Sequence, residues 1–299
     1  MGERNGTAAM TEERAPVGHD AFLHAPVGMA ISRVDGVLIE VNPALERLLG
    51  RPARELSGSS LYELTDADEL PGIRDACTAV HAVPGRVSRV EGHLLHGDGT
   101  RVPVQVTVTR VPEQPGLPTH LVLVIEDITD RKALEAQLVH RSLHDALTGL
   151  PNRTLFADRL RHALERGHRE GTPTCVLVVD LDGFKGINDR YGHPMGDAVL
   201  VTFAERLTSV LRASDTAARL GGDEFSIVCE NTEPADAEVL AGRLRTVVLE
   251  PLDIDGTPIA LGMSVGIGTA EPGADPDTAC EAVVRAADDA MYADKKRAR

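Results

Sequence analysis

Tryptophan is absent from this chain of 299 residues, and the aromatic side chains together make up only 3% of it. An aromatic-rich binding platform is therefore not expected. Cysteine is scarce. Cys77, Cys175, Cys229 and Cys280 lie far apart, with no Cys-x-x-Cys pair and no histidine at zinc-ligand spacing, so they read as buried free thiols. Positive charge is short as well: 31 Lys and Arg face 46 Asp and Glu, a formal charge of −15. Such a surface repels phosphate backbones and argues against a nucleic-acid partner. A nucleotide substrate stays open, because a bound metal ion reverses the local sign. No run approaches the roughly 18 apolar residues of a membrane span. Residues 1–16 are polar and mixed in charge, without the apolar core of a signal peptide, so a cytoplasmic protein with no membrane partner is the expectation.

What is present reads as ordinary globular protein, 42% apolar and 26% charged, long enough for two buried cores. Residues 1–16 are expected to form a disordered tail. From Asp20 the pattern changes. Ala21 to Ser32 leads into Gly36 to Asn42, short strands separated by a glycine turn. Pro43 to Leu49 carries a helical apolar spacing that ends at Gly50, a C-cap. Arg86–Leu95, Arg101–Val111 and His120–Ile125 alternate like antiparallel strands, with Asp98-Gly99 at a hairpin turn. From a helix at Phe22–Pro26, through Val41-Asn42-Pro43-Ala44, to Glu126-Asp127-Ile128-Thr129-Asp130-Arg131, the segment resembles a PAS domain. That resemblance implies a sensor or dimerisation module over residues 17–129, whose ligand, if any, is unknown. His81, His93 and His96 are read as surface or loop histidines rather than haem ligands.

Residues 130–143 form a charged helical stretch with a narrow apolar seam at Leu134, Leu138 and Val139, too short for a stable isolated coiled coil. It is either a plain amphipathic packing helix or, as the family resemblance of the segment that follows it implies, a parallel helical pair transmitting strain.

Residues 144–299 alternate strands and helices. Cys175–Val179 is a buried strand, and Val199–Leu211 has a helical apolar face. Ala235–Leu249 repeats that face, Ile259–Ile267 is a strand, and Ala282–Lys296 is a final helix. The fold class expected is α+β or α/β, with an antiparallel sheet and helices first and then a ferredoxin-like mixed sheet covered by helices.

The chemistry centres on Asp215 to Cys229. Two short apolar runs flank Gly221-Gly222, the signal of a hairpin with a tight turn, and Asp223 and Glu224 sit on or just after it. Alone, Asp-Glu reads as a solvated acidic turn. The full string Arg219-Leu220-Gly221-Gly222-Asp223-Glu224-Phe225 resembles the signature of the GGDEF family, the diguanylate cyclases. Asp180 to Asp197 is similar to the family's second signature, Asp145 to Arg153 to its opening motif, and Ala287 to Tyr292 to its closing helix.

The resemblance implies a nucleotidyl-cyclase-like mixed sheet and a homodimer, paired through the PAS segment and the helix, that condenses two GTP into cyclic di-GMP. Magnesium or manganese would be held by Asp180, the backbone carbonyl of Leu181 and Asp223. Asp223 would also accept the proton of the 3′-hydroxyl, with Glu224 in support and Asp182 left as a loop carboxylate. Asn188 and Asp197 would read the guanine edge, an amide and a carboxylate matched to its donors and acceptors. Asp197 also stands where an N-cap belongs. His193 would touch substrate. Lys295 and Arg299, four apart on one helix face, would bind the triphosphate, helped by Lys185 and the backbone of Phe184. Asp294 departs from the small residue usual there. Arg212 and Asp215, spaced Arg-x-x-Asp before Gly221, match the family's inhibitory product site, where the plain alternative is a surface ion pair. Two other functions remain open: a silent module that binds GTP or cyclic di-GMP, and a PAS dimerisation scaffold.

Overall fold

The structure, a computed structural model, describes residues 17–82, 85–113, 118–254 and 256–298, and only the backbone of Val17, His81, Ala82, Val248, Leu249 and Ala298. The expected tail at 1–16 and the expected phosphate ligand Arg299 lie outside the described residues. The chain divides into two compact units between Ala136 and Gln137.

The first unit begins with α1 (Val17–His24), β1 (Gly28–Ser32) and β2 (Leu38–Val41). The expected helix at Phe22–Pro26 is shifted: α1 stops at His24, because Val27 and Pro26 lead the chain into β1. Next comes α2 (Pro43–Leu49), opened by the Asn42 side chain accepting from Leu45 N and closed by Gly50 in the left-handed region. The same Asn42 amide donates to the carbonyls of Phe22 and Val27, and its oxygen accepts from Met29 N, so one buried side chain joins α1, β1 and α2. There follow α3 (Ala53–Leu56), α4 (Leu70–Ala82), β3 (Val87–Leu95), β4 (Arg101–Val111) and β5 (His120–Asp127). The five strands form one antiparallel sheet in the order β2-β1-β5-β4-β3. Its inner face carries Ala30, Val104, Val106, Val108, Leu121, Leu123 and Ile125 against Leu45, Leu49, Ile73 and Val80 of the helices. His93 and His96 each contact a carboxylate, Glu69 at 2.8 Å and Asp98 at 2.7 Å.

Helix α5 (Thr129–Leu143) has no buried residue, and Leu134, Leu138 and Val139 are all more than half exposed. Near its start Arg131 and Lys132 both pair with Glu91 of β3.

The second unit contains α6 (Arg153–Glu170), β6 (Thr174–Asp182), α7 (Phe184–Tyr191), α8 (His193–Ser209), β7 (Thr216–Gly221), β8 (Glu224–Cys229), α9 (Pro234–Leu249), β9 (Leu252–Ile254), β10 (Thr257–Ile259), β11 (Gly262–Ala270) and α10 (Pro276–Ala298). The strand order β11-β6-β8-β7 is antiparallel at every described pairing. β6 and β7 therefore run the same way with β8 between them, the arrangement of a ferredoxin-like sheet. β6 is buried along nearly its whole length because both faces are covered. Cys175, Leu177 and Val179 meet Phe203, Leu207 and Leu244 of α8 and α9 on one face; Val176 and Val178 meet Leu160, Val283 and Ala287 of α6 and α10 on the other.

The single strand expected at Ile259–Ile267 is two. Ile259 pairs with Leu252 in the β9–β10 hairpin, whereas pairing with β6 begins at Gly262, so an unbroken apolar run hides a change of partner. The closing helix starts at Pro276, six positions before the expected Ala282. Cys77, Cys175 and Cys229 are buried free thiols, and Cys280 is half-buried. Burial pushes all four thiols up.

Candidate active site

Gly221 and Gly222 adopt φ of 147° and 55°, the second in the left-handed region that favours glycine. The hairpin between β7 and β8 closes there, with an irregularity between Arg219 and Gly221. Asp223 is half-buried in the turn and Glu224 opens β8, exposed. Leu181 N donates to Asp223 O at 3.3 Å, which ties the turn to the end of β6.

The register sets Asp180 directly opposite Glu224. Like charges in that relationship repel. Asp180, which shares the parity of Val176 and Val178, faces α10, and Lys295 Nζ lies 2.5 Å from its Oδ1. Lys295 reaches so far inward because α10 rides on glycines. A Cβ on Gly266 would sit 2.0 Å from Met291 N, and one on Gly268 would sit 2.0 Å from Val283 O. Asp180, Glu224, Met291, Tyr292, Lys295 and Lys296 line a cleft of about 340 Å³.

Asp182 is not a loop carboxylate. β6 runs on through it, opposite Gly262, and its Oδ1 accepts from the Ser264 hydroxyl at 2.8 Å. Asp180, Asp223 and the Leu181 carbonyl offer hard oxygen donors, which fit Mg²⁺ or Mn²⁺. No cluster of three or more His, Cys, Asp or Glu side chains is placed to hold an ion among the described residues. Two carboxylates and a carbonyl would hold the metal, with water or phosphate oxygens completing it.

Gly183, in the left-handed region, precedes α7, and no side chain caps that helix. The first N–H groups, at Phe184 and Lys185, are thus open to an anion. The Phe184 ring is buried in the core and Lys185 is exposed. Asn188 packs on α8 at a glycine: a Cβ on Gly196 would lie 1.9 Å from Asn188 Oδ1. His193 opens α8 and is exposed, as is Asp197. The N-cap expected at Asp197 is instead Gly192; the helix has already begun at His193, so the Asp197 carboxylate is released from capping. Asp294 is bonded to α9 and β11. Its Oδ2 accepts from Arg245 at 2.9 Å and from Val265 N at 3.1 Å, and its carboxyl is held low because these bonds outweigh burial.

Arg212 and Asp215 form no ion pair. Asp215 Oδ2 accepts from the Arg212 backbone N at 3.0 Å, while Oδ1 is buried without a hydrogen-bond partner. Both line a small pocket of about 60 Å³, with Cys229, Asp236 and Arg243. Arg243 went unnoticed in the sequence because it lies on the next helix.

Arg219, which opens the signature string, has a role that only the fold reveals. Its guanidinium donates to Asp145 Oδ1 at 2.9 Å and twice to the carbonyl of Gly222, and its backbone N donates to Pro151 O. Asp145 also accepts from the backbone and hydroxyl of Thr148. Burial pushes the Asp145 carboxyl up, but these bonds outweigh it and hold the carboxyl below its usual range. Asp145 belongs to the opening motif and Arg219 to the GGDEF signature; only the fold brings the two together.

Residues 142–299 match the family described as diguanylate cyclase, GGDEF domain, and residues 22–133 match a PAS fold. The chain belongs to the GGDEF family. Over 271 residues it is 36% identical to an uncharacterised signalling protein of Caulobacter vibrioides, covering 88% of this chain and 32% of that protein. It is 45% identical over 163 residues to the bifunctional diguanylate cyclase/cyclic di-GMP phosphodiesterase MucR of Pseudomonas aeruginosa, covering 54% of this chain and 23% of MucR. Diguanylate cyclase TpbB of the same species is 40% identical over 166 residues, covering 55% and 38%. This GGDEF protein thus spans well under half the length of these curated relatives. Among solved structures, the coiled coil and GGDEF domain of DgcB from Caulobacter crescentus in complex with c-di-GMP superposes with a TM-score of 0.51 at 32% identity, covering 56% of this chain and 88% of that one.

Proposed function

We propose that the protein condenses two GTP molecules into cyclic di-GMP and pyrophosphate, as a homodimer regulated by its PAS domain. The observation that carries this is the cross-strand pairing of Asp180 with Glu224 beside the Asp223 turn, with Lys295 directed at the same carboxylate. Each 3′-hydroxyl attacks the α-phosphorus of the other GTP; a P–O bond to the 3′-oxygen forms as the bond to the α,β-bridging oxygen breaks, and one pyrophosphate leaves per attack, two per cyclic di-GMP. Asp180, Asp223 and the Leu181 carbonyl would hold a magnesium or manganese ion, which would supply Lewis-acid charge neutralisation. Asp223 accepts the hydroxyl proton, with Glu224 adjacent to it. Asn188 and Asp197 orient guanine, and His193 contacts substrate. The N–H groups of Phe184 and Lys185, the Lys185 ammonium, Lys295 and Arg299 take the phosphates.

One site holds one GTP, so two copies must face each other. The exposed Leu134, Leu138 and Val139 of α5, together with the PAS domain, supply the pairing. Arg212 and Asp215 bind product and hold the catalytic domains apart, a shift of population that leaves the active site unaltered. No helix among the described residues is long and apolar enough to cross a membrane, in keeping with the proposed cytoplasmic location. The test is incubation of purified protein with GTP and magnesium, followed by chromatography. Cyclic di-GMP supports the proposal; GTP binding without product replaces it with the silent-module function.

A further inference from the structure

His140 and His144 stand four positions apart at the end of α5, with ring centroids 3.9 Å apart and planes within 17°. His144 N donates to His140 O at 3.0 Å, so the helical turn continues through His144 although α5 ends at Leu143. The same carbonyl lies 3.0 Å from His144 Nδ1. A carbonyl only accepts, so this contact places the ring proton on Nδ1 and leaves the lone pair of Nε2 free. Donation from one ring nitrogen to a backbone carbonyl is how metal-ligating histidines are commonly oriented. The His140 ring is exposed, and among the described residues neither of its nitrogens has a hydrogen-bond or ion-pair partner.

We propose that His140 and His144 chelate a late first-row divalent cation, Cu²⁺, Ni²⁺ or Zn²⁺, through one nitrogen each, with water completing the coordination. Two histidines at i and i+4 on one helix face are the spacing by which a helix grips zinc. A ligand-to-metal distance of about 2.0–2.1 Å brings the two nitrogens closer than the present centroids, and rotation of the exposed His140 ring achieves this. Imidazole selects these ions over magnesium, which keeps oxygen ligands, so the site is chemically separate from the cyclase centre. No third His, Cys, Asp or Glu side chain joins the pair among the described residues, and the neighbouring Asp145 carboxylate is occupied by Thr148 and Arg219. The position gives the ion a structural effect. Asn152 donates to the carbonyls of Leu143 and Ser142, and His144 bridges to Pro151, so the chelated turn is the one stitched to the entrance of the cyclase domain.

The test uses metal-free full-length protein in excess magnesium, titrated with Cu²⁺ or Zn²⁺ by calorimetry, with the Cu²⁺ form also examined by electron paramagnetic resonance. Expected are a tightest site of one ion per chain, a spectrum showing two nitrogen ligands, and a rise in melting temperature on loading. His140→Gln should weaken that site at least about tenfold, the loss that even an outer-shell partner of a metal typically causes. A double variant, His140→Gln with Val139→His, keeps the histidine count but breaks the spacing and should be equally weak. His162→Gln, remote in the sequence and paired with Asp158, should bind like the parent. Circular dichroism checks the fold of each. Parent-like affinity in either His140 variant, a spectrum with a single nitrogen, or no stoichiometric binding by the parent overturns the proposal.

Discussion

Arg219 and Asp145, 74 residues apart, meet at 2.9 Å with side chains only 11% and 24% exposed, and the same guanidinium holds the carbonyl of Gly222. One side chain therefore fastens the Gly-Gly turn to the opening motif of the cyclase domain. Arg219→Ala removes the charged donor of a shielded carboxylate, which keeps its Thr148 bonds, and both donors of the Gly222 carbonyl, at a cost of about 1–3 kcal/mol. Because the folded Asp145 carboxyl is held low, its contribution is present above its unfolded value near about 4 and is lost as pH falls through the folded value. Denaturant titrations of parent and variant should thus differ most at pH 7, and the gap should narrow in acid to what the Gly222 bonds contribute. A gap that stays constant with pH would show that the Asp145 charge is not what Arg219 serves.

Gly266→Val should lower the melting temperature and weaken nucleotide binding together. Its side chain would meet the backbone of α10 at Met291 and Ala287, so the helix must move and Lys295 moves with it. Overpacking of this kind costs about 1–3 kcal/mol or more. Gly242→Ala, in α9 with open space at the new Cβ, should instead stabilise by up to about 1 kcal/mol. Thermal melts and GTP titrations of both variants check this; unchanged GTP affinity in Gly266→Val would separate α10 packing from the phosphate site.

The hairpin, the buried strand and most helices were legible because each rests on local pattern: two glycines between apolar runs, a continuous apolar run, a 3.6-residue period. What was hidden depends on partners distant in sequence. Nothing near Asp294 announces Arg245 and Val265, and nothing near Asp182 announces Ser264. The break after Ile259 is a change of partner within apolar sequence, and Arg243 joins Arg212 only once α9 is packed. The glycines at 266 and 268 had no turn to explain them; their role is to admit a helix.

Gly196→Ala should raise KM for GTP more than it lowers kcat. The new methyl would occupy the place of Asn188 Oδ1, and a side-chain amide yields more readily than backbone, so the fold survives while the guanine contact shifts. Loss of one such polar contact is worth about 1–3 kcal/mol, roughly five- to 150-fold in KM. Steady-state kinetics with unchanged KM would remove Asn188 from guanine recognition.

Arg212→Ala should leave the initial rate nearly unchanged and let product accumulate past the level at which the parent stalls. The loop keeps its shape, because Asp215 is held by the Arg212 backbone N–H, which alanine retains. Progress curves that flatten at the same cyclic di-GMP concentration would refute product binding at this pocket.

The most direct test compares the parent with Asp223→Asn, which keeps the shape of the turn residue but removes the metal ligand and base that the proposed reaction requires of it. Purified full-length proteins are incubated with GTP and magnesium, and cyclic di-GMP is quantified by chromatography alongside thermal melts. The parent is predicted to form cyclic di-GMP and the variant at least about a hundredfold less, with unchanged melting. Equal product from both, or none from the parent, contradicts the account.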